Sequence, residues 1–195
     1  MFGILVDGAV IAKYSTPMSV TSNRPVFVSD ALNLKRYTES LYSQRWEIET
    51  VLEPLSTTHA NKLMTEIVTK GHSSPGKAIF PQNVAVRHLR KNTTTLVGAV
   101  GTMGTNTLSL PDSELIPAGT FVQLSNHSKI YMVTADYTTG DMQIYPNLVE
   151  DVVGDLQCDD AIEFDFYFET TTVRGMVYMD GILMDMGTIK LVEKL

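Results

Sequence analysis

At 195 residues the chain has length for one ordinary core, or for one core and a small second module. Its composition is 44% hydrophobic and 19% charged with mean hydropathy near zero, and no run of about 18 apolar residues offers a membrane span. A net charge of −7 argues against a general nucleic-acid binder, which needs a basic face to release phosphate counterions. Cys158 is the single cysteine, so no intrachain disulfide framework exists, and its acidic neighbours Asp159 and Asp160 disfavour a thiolate nucleophile.

In chain order, Phe2 to Tyr14 reads as a hairpin whose arms GILV and AVIAKY meet at Asp7-Gly8, a dipeptide suited to the positive φ angles of a tight turn. This opening has no basic region before its apolar residues and is not expected to be a signal peptide. Ser15 to Ser29 is polar and proline-punctuated, with Val26-Phe27-Val28 a short strand near its end. Ala31 to Tyr42 fits an extended segment or a short helix, and extension is the preferred reading. In Gln44 to Leu52 the residues Trp46, Ile48 and Leu52 alternate with Arg45, Glu47 and Glu49, the pattern of a half-buried strand that Pro54 ends. An amphipathic helix is expected next, capped by Ser56 and by Gly71, with Ala60, Leu63, Met64, Ile67 and Val68 as its apolar stripe. No second long helix is predicted, so this stripe should lie on a sheet.

His72 to Lys77 is a loop by composition, and Ala78 to Pro81, Val84 to Leu89 and Thr93 to Val100 are strand candidates. The glycines of GAVGTMG lack the Gly-Lys-Ser/Thr ending of a phosphate loop and miss the dinucleotide spacing, so they read as bulge or loop residues. Thr105 to Pro146 then forms a compact β module with strands at Phe121 to Leu124, Lys129 to Thr134 and Met142 to Tyr145, spaced like a small barrel or sandwich. Asp151 to Asp160 reads as an acidic linker, and Ile162 to Phe168 as a strand with Ile162, Phe164, Phe166 and Phe168 on one face. Val173 to Leu195 adds two or three strands around Asp180-Gly181 and Gly187. The expected class is mainly β (α+β), a sheet packed by one helix. One domain spans 1–100 and 160–195, with a small β-barrel-like module at 101–159.

Chemistry is sparse. The histidines His59, His72, His88 and His127 have no metal-ligand spacing, and no nucleophile elbow occurs. The acids from Glu150 to Asp165 lack calcium-loop spacing and read as a solvated face. The basic run Arg87, His88, Arg90 and Lys91 is short enough to suit an acidic patch on a neighbouring subunit. No catalytic residue, metal or cofactor is assigned, and an enzyme is not expected.

A family resemblance enters on the strand QRWEI, the Pro54-Leu55 corner, the amphipathic helix and the following FPQN, continued by IPAGTFVQLSNHSKIYMVTADYTTGDMQIYP. This layout, over about half of the chain, resembles the distal tail proteins of long-tailed bacteriophages. The resemblance implies a ring of about six subunits at the tail tip or baseplate. It also implies a second domain of oligonucleotide-binding-like or galectin-like type, and a hub role joining the tail tube to distal host-recognition proteins. The partners it implies are other copies and other tail tube and baseplate proteins, in the virion after assembly in the host cytoplasm, with no nucleic acid and no membrane. Interface candidates are the hairpin, at Ile4, Val6, Ala9 and Ile11, the arm Ser15 to Ser29, and the methionine-rich end, at Met176, Met179, Met184 and Met186. Two alternatives stay open. One is another tail role (tube, completion or wedge protein). The other is a carbohydrate-binding module stacking sugars on Tyr131, Tyr137 and Tyr145.

Overall fold

The computed structural model describes residues 2–30, 36–40, 43–70, 73–82, 95–160, 162–169, 177–179, 183–185 and 187–195. Its first part supplies β1 (Gly3–Val6), β2 (Ala9–Asn23), β3 (Val26–Asp30), β4 (Arg36–Ser40), β5 (Arg45–Leu52), β6 (Leu55–Ser56), α1 (Thr57–Lys70) and β7 (Gly76–Ile79). The middle supplies β8 (Thr95–Gly101), β9 (Thr107–Leu110), β10 (Phe121–Leu124), β11 (Ile130–Val133), β12 (Gly140–Tyr145) and β13 (Val152–Gln157). The end supplies β14 (Glu163–Phe168), β15 (Val177–Met179), β16 (Leu183–Asp185) and β17 (Thr188–Glu193).

The fold is mainly β with one helix among the described residues, built as two closed six-stranded antiparallel barrels. The first runs β1, β2, β5, β17, β14, β7 and back to β1, so both chain ends share it. The second runs β10, β11, β12, β9, β8, β13 and back to β10, and lies in sequence between β7 and β14. Closure leaves no free edge in either barrel. A three-stranded sheet of β15, β16 and β6 and a two-stranded ribbon of β3 and β4 complete the strands.

Local chemistry explains the elements. Asp7 and Gly8 both have positive φ, 52° and 76°, as the tight turn between β1 and β2 requires. The Ser56 hydroxyl accepts from the His59 amide at 3.4 Å and caps α1, and Glu66 pairs with Lys70 one turn on at 2.6 Å. Ala60, Leu63 and Ile67 are buried against the first barrel, whereas Val68 is 76% exposed and does not belong to the stripe. Gly71 lies outside the described residues. In β14 the phenylalanines 164, 166 and 168 all point into the first core.

Three expectations are corrected. The polar stretch Ser15 to Asn23 is the outer half of β2, paired with β5 from Met18↔Thr50 to Asn23↔Arg45. Pro17, which has no amide to donate, falls within the break in register between Tyr14 and Met18. The stretch expected as an acidic linker holds β13, in which Val152 and Leu156 alternate inward and Cys158 continues the series. The start of the second module shifts from 101 to Thr95, because β8 pairs with β13, Val100 facing Val153.

Candidate functional site

The two barrels meet through one apolar and polar joint. Trp46 on β5 is 4% exposed and meets Phe80, Phe121 and Tyr145 edge to face, at ring separations of 6.3, 5.2 and 6.3 Å. Its indole Nε1 donates to the Ile130 carbonyl of β11 at 2.8 Å. Phe121 and Ile130, though carried by the second barrel, thereby belong to the first core.

Around this ring sit polar groups that serve both barrels. Glu193 of β17 accepts from the Trp46 amide at 2.8 Å, from the Ile130 amide at 3.1 Å and from Lys129 Nζ at 2.5 Å. Lys129 also donates to the Gln44 carbonyl and to its side-chain Oε1, at 2.6 and 2.8 Å. Burial pushes the Glu193 carboxyl up and the Lys129 ammonium down, and their mutual attraction opposes both shifts. On the other side Gln82 imitates a strand, since its Oε1 accepts from the Phe121 amide at 3.0 Å and its Nε2 donates to the Phe121 carbonyl at 2.6 Å. The Ser22 and Tyr145 hydroxyls lie 3.1 Å apart, and Gln123 donates to the Glu163 carbonyl at 2.8 Å. These bonds span the two barrels, and those of Trp46, Glu193, Lys129 and Gln82 satisfy buried polar groups.

Beside the joint lies an open cleft of about 790 Å³. Met103, Pro146, Leu148 and Val149 form its second-barrel wall, and Ser43, Gln44, Lys194 and Leu195 its first-barrel wall. Apolar surface continues outward from it: Val100 and Val153 face each other across β8 and β13 at 51% and 80% exposure. Asp151 accepts from the Met103 amide at 2.8 Å, which sets Met103 beside that strand pair, itself 64% exposed. Electrostatically this third of the chain is distinct. Residues 95–160 hold nine acidic residues and one basic residue, Lys129, for −8, whereas the rest holds 14 basic and 13 acidic.

His127 shapes the cleft wall. Its Nδ1 lies 3.0 Å from Asn126 Oδ1 and 3.3 Å from Glu150 Oε1, and its Nε2 lies 2.7 Å from the Tyr131 hydroxyl. A proton on Nδ1, with Nε2 accepting from the phenol, satisfies every group, and the Tyr131 oxygen also accepts from the Val149 amide at 3.3 Å. Burial pushes the Tyr131 phenol up to about 12, so it remains a neutral donor. Burial likewise lowers the His127 pKa, with Glu150 opposing and Lys129 adding.

A pH dependence follows from the sign of that shift. An unfolded histidine titrates near 6.5, so below about pH 6.5 the unfolded chain binds more protons at this site than the folded one. Stability from neutral His127 is complete above that value and is lost as pH falls toward the lowered folded pKa. Glu193, raised by burial, contributes with the opposite sign as pH rises above the ordinary carboxylate range. Comparing wild type with His127→Gln cancels that contribution. The urea midpoint of the wild type is expected to fall more between about pH 7.5 and about pH 5.5 than that of the variant. Equal falls would exclude the histidine.

The residues expected at an interface are placed as follows. Ile4, Val6 and Ile11 are 2%, 7% and 6% exposed and pack in the chain's own first core. The hairpin is not an edge, because β1 pairs with β7 as well as with β2, so these side chains are consumed by barrel closure. Ala9 is exposed at the turn. Met176 and Met186 lie outside the described residues, and Met179 and Met184 lie on β15 and β16, which pair with each other. Tyr131 and Tyr137 are 0% and 2% exposed, with Tyr137 donating to the Asp112 carbonyl, so their faces are closed to a sugar ring. The basic run from Arg87 to Lys91 lies outside the described residues. Of the histidines, His59 is exposed on α1 and His72 and His88 are outside the described residues. Among the described residues no group of three or more His, Cys, Asp or Glu could hold a metal ion, and no helix is long and apolar enough to cross a membrane.

No family model and no curated protein matches this chain. The site is therefore read from its own geometry. Sequence reasoning missed the joint entirely. Trp46 and Glu193 are 147 positions apart, Gln44 and Lys129 are 85 apart, and no local spacing marks either contact.

Proposed function

We propose that this chain is a structural virion protein of a long-tailed bacteriophage, a ring-forming component of the tail tip or baseplate. In this reading about six copies close into a ring that joins the tail tube to distal host-recognition proteins. The observation that carries it is the β3–β4 ribbon. Val26, Phe27 and Val28 are 47%, 66% and 52% exposed, so apolar side chains stand in solvent on both faces of two strands that, among the described residues, pair only with each other. An isolated two-stranded ribbon is marginal in water, and a solvated Val-Phe-Val run needs a covering surface. Repeated copies supply that surface, because a protrusion on one subunit that fits a different patch on the next builds a closed ring when the rotation closes. The joint between the barrels suits the same role, since a rigid body transmits load without shearing.

Solution mass tests the reading. Light scattering on the purified 21.6 kDa chain is expected to give a closed assembly of about six copies, about 130 kDa. Phe27→Asp places a charge on the exposed ribbon and leaves both cores untouched. It should weaken association by roughly 10- to 100-fold while the urea midpoint stays near that of the wild type. A strictly monomeric wild type at high concentration would end the ring reading.

A further inference from the structure

We infer that Lys129 and Gln44 join in an isopeptide bond, formed by the folded chain on itself with release of ammonia, which ties the two barrels together covalently. Three side chains of the joint carry it, and all are buried: Lys129, Gln44 and Glu193 are each 4% exposed. Lys129 Nζ lies 2.8 Å from Gln44 Oε1 and 2.5 Å from Glu193 Oε2, so one nitrogen touches both an acyl group and a carboxylate. With a carbonyl bond of about 1.23 Å, Nζ is no more than about 4 Å from Gln44 Cδ, near the roughly 3–3.5 Å at which reacting atoms are poised. The carboxamide is oriented from its other end, where Nε2 donates to the Ser22 hydroxyl at 3.0 Å, itself 3.1 Å from the Tyr145 hydroxyl. Oε1 therefore faces Lys129, as an ammonium with donors only requires. Gln44 and Lys129 also line the open cleft, which gives ammonia a way out.

A lysine in water is a poor nucleophile, because its nitrogen is protonated and the lone pair engaged. In the joint, burial disfavours both charges of the Lys129–Glu193 pair, and one proton passing from Nζ to Oε2 removes both at once. The freed lone pair of Nζ forms the bond to Gln44 Cδ while the carbonyl pair moves onto Oε1. Glu193 passes its proton to Nε2 and takes another from the attacking nitrogen. The Cδ–Nε2 bond then breaks, its electron pair leaves with the nitrogen, the carbonyl re-forms, and the departing ammonia takes the last proton from Glu193. The three protons of the lysine ammonium and the two of the carboxamide end as one on the new amide and four on free ammonium. Glu193 ends as it began, nothing is oxidised or reduced, and no co-reactant is needed. The freshly folded chain holds the ion pair, and the bond accumulates afterwards. It joins the residue before β5 to the residue before β11 across 85 positions, so the barrels cannot part whether the chain acts singly or in a ring.

Mass spectrometry of the purified wild type, warmed for a prolonged period below its unfolding transition, tests this directly. The intact mass of the 21.6 kDa chain is expected to fall by about 17 Da, the mass of ammonia, as the link forms. Protease digestion should then yield one branched peptide joining Gln44 to Lys129, and on a denaturing gel the looped chain should run ahead of the unlinked one. Glu193→Ala, compared while its circular dichroism remains native, should slow the loss on the order of 100-fold by removing the proton carrier. Gln44→Met leaves the Lys129–Glu193 pair in place and should show no loss at all. A folded wild type whose mass stays constant overturns the bond, and so does a gain of about 1 Da at Gln44, which would mean that water and not lysine attacks the carboxamide. Linking at an undiminished rate in folded Glu193→Ala overturns the role of the carboxylate.

Discussion

Glu193→Ala is expected to cost about 3–5 kcal/mol of stability, among the largest effects of any single substitution at the joint. The carboxylate is 1% exposed and holds three donors, the ammonium of Lys129 and the amides of Trp46 and Ile130. Truncation leaves a buried cation without its counter-charge and two buried amides without acceptors, and each loss carries its own desolvation cost. Lys129→Met should cost less. It leaves Glu193 bonded to both amides, and the burial that already raises its pKa then favours the neutral acid. The two changes are not additive: Glu193→Ala made in the Lys129→Met background should cost less than in the wild type, since no cation is then stranded. Urea denaturation of the four proteins measures this cycle. A Glu193→Ala loss below about 1 kcal/mol would show that water replaces the carboxylate, and that the joint is not what holds the barrels together.

Trp46→Ala should be comparably damaging, about 3–5 kcal/mol, because it empties a site walled by Phe80, Phe121 and Tyr145. Trp46→Phe separates the two contributions of the side chain. It keeps most of the edge-to-face packing but leaves the Ile130 carbonyl without the indole donor, for an expected loss of about 1–3 kcal/mol. Trp46 is the single tryptophan, so in the wild type its fluorescence reports on the joint alone. Its emission is expected to shift to the red in the same urea transition that removes far-ultraviolet circular dichroism. An earlier fluorescence transition would mean that the barrels part before either unfolds. Amide exchange on the Trp46→Ala variant would add detail, since loosening of both barrels is expected if the residue truly belongs to a shared core.

Much of the local structure is legible in the residues themselves. Asp7-Gly8 announces the turn that its positive φ angles confirm, Ser56 announces the start of α1, and the alternating phenylalanines of β14 announce an inward face. Each depends on interactions within a few positions, which is why a pattern suffices. Reading failed where polarity masked alternation. Ser15 to Ser29 looks like a polar arm and Asp151 to Asp160 like a linker by composition, yet both carry strand, because in a closed barrel the outward half of every strand is free to be polar. It failed again at the hairpin, where apolar β character suggested an exposed edge. Whether Ile4, Val6 and Ile11 face a partner or a core depends on what lies on the far side of β1, and β7 begins 70 positions further on at Gly76.

The candidate surface divides in the same way. The Val26-Phe27-Val28 run stands out in the sequence as a short apolar strand in polar surroundings, but its exposure on both faces is seen only in the folded chain, where no third strand of the described residues lies beside β3 and β4. The amino-acid order by itself determined the class of the chain, many of its inward faces and turns, and the helix α1, because these rest on short-range sterics and on alternation of polarity. Only the tertiary structure decided that both termini close one barrel around a second, and that Lys129 and Glu193 meet in the joint across 64 positions. It alone left an apolar cleft open beside a solvated apolar ribbon. Pairing at such separations is selected by the burial and polar satisfaction of the whole assembly, and no local preference encodes it.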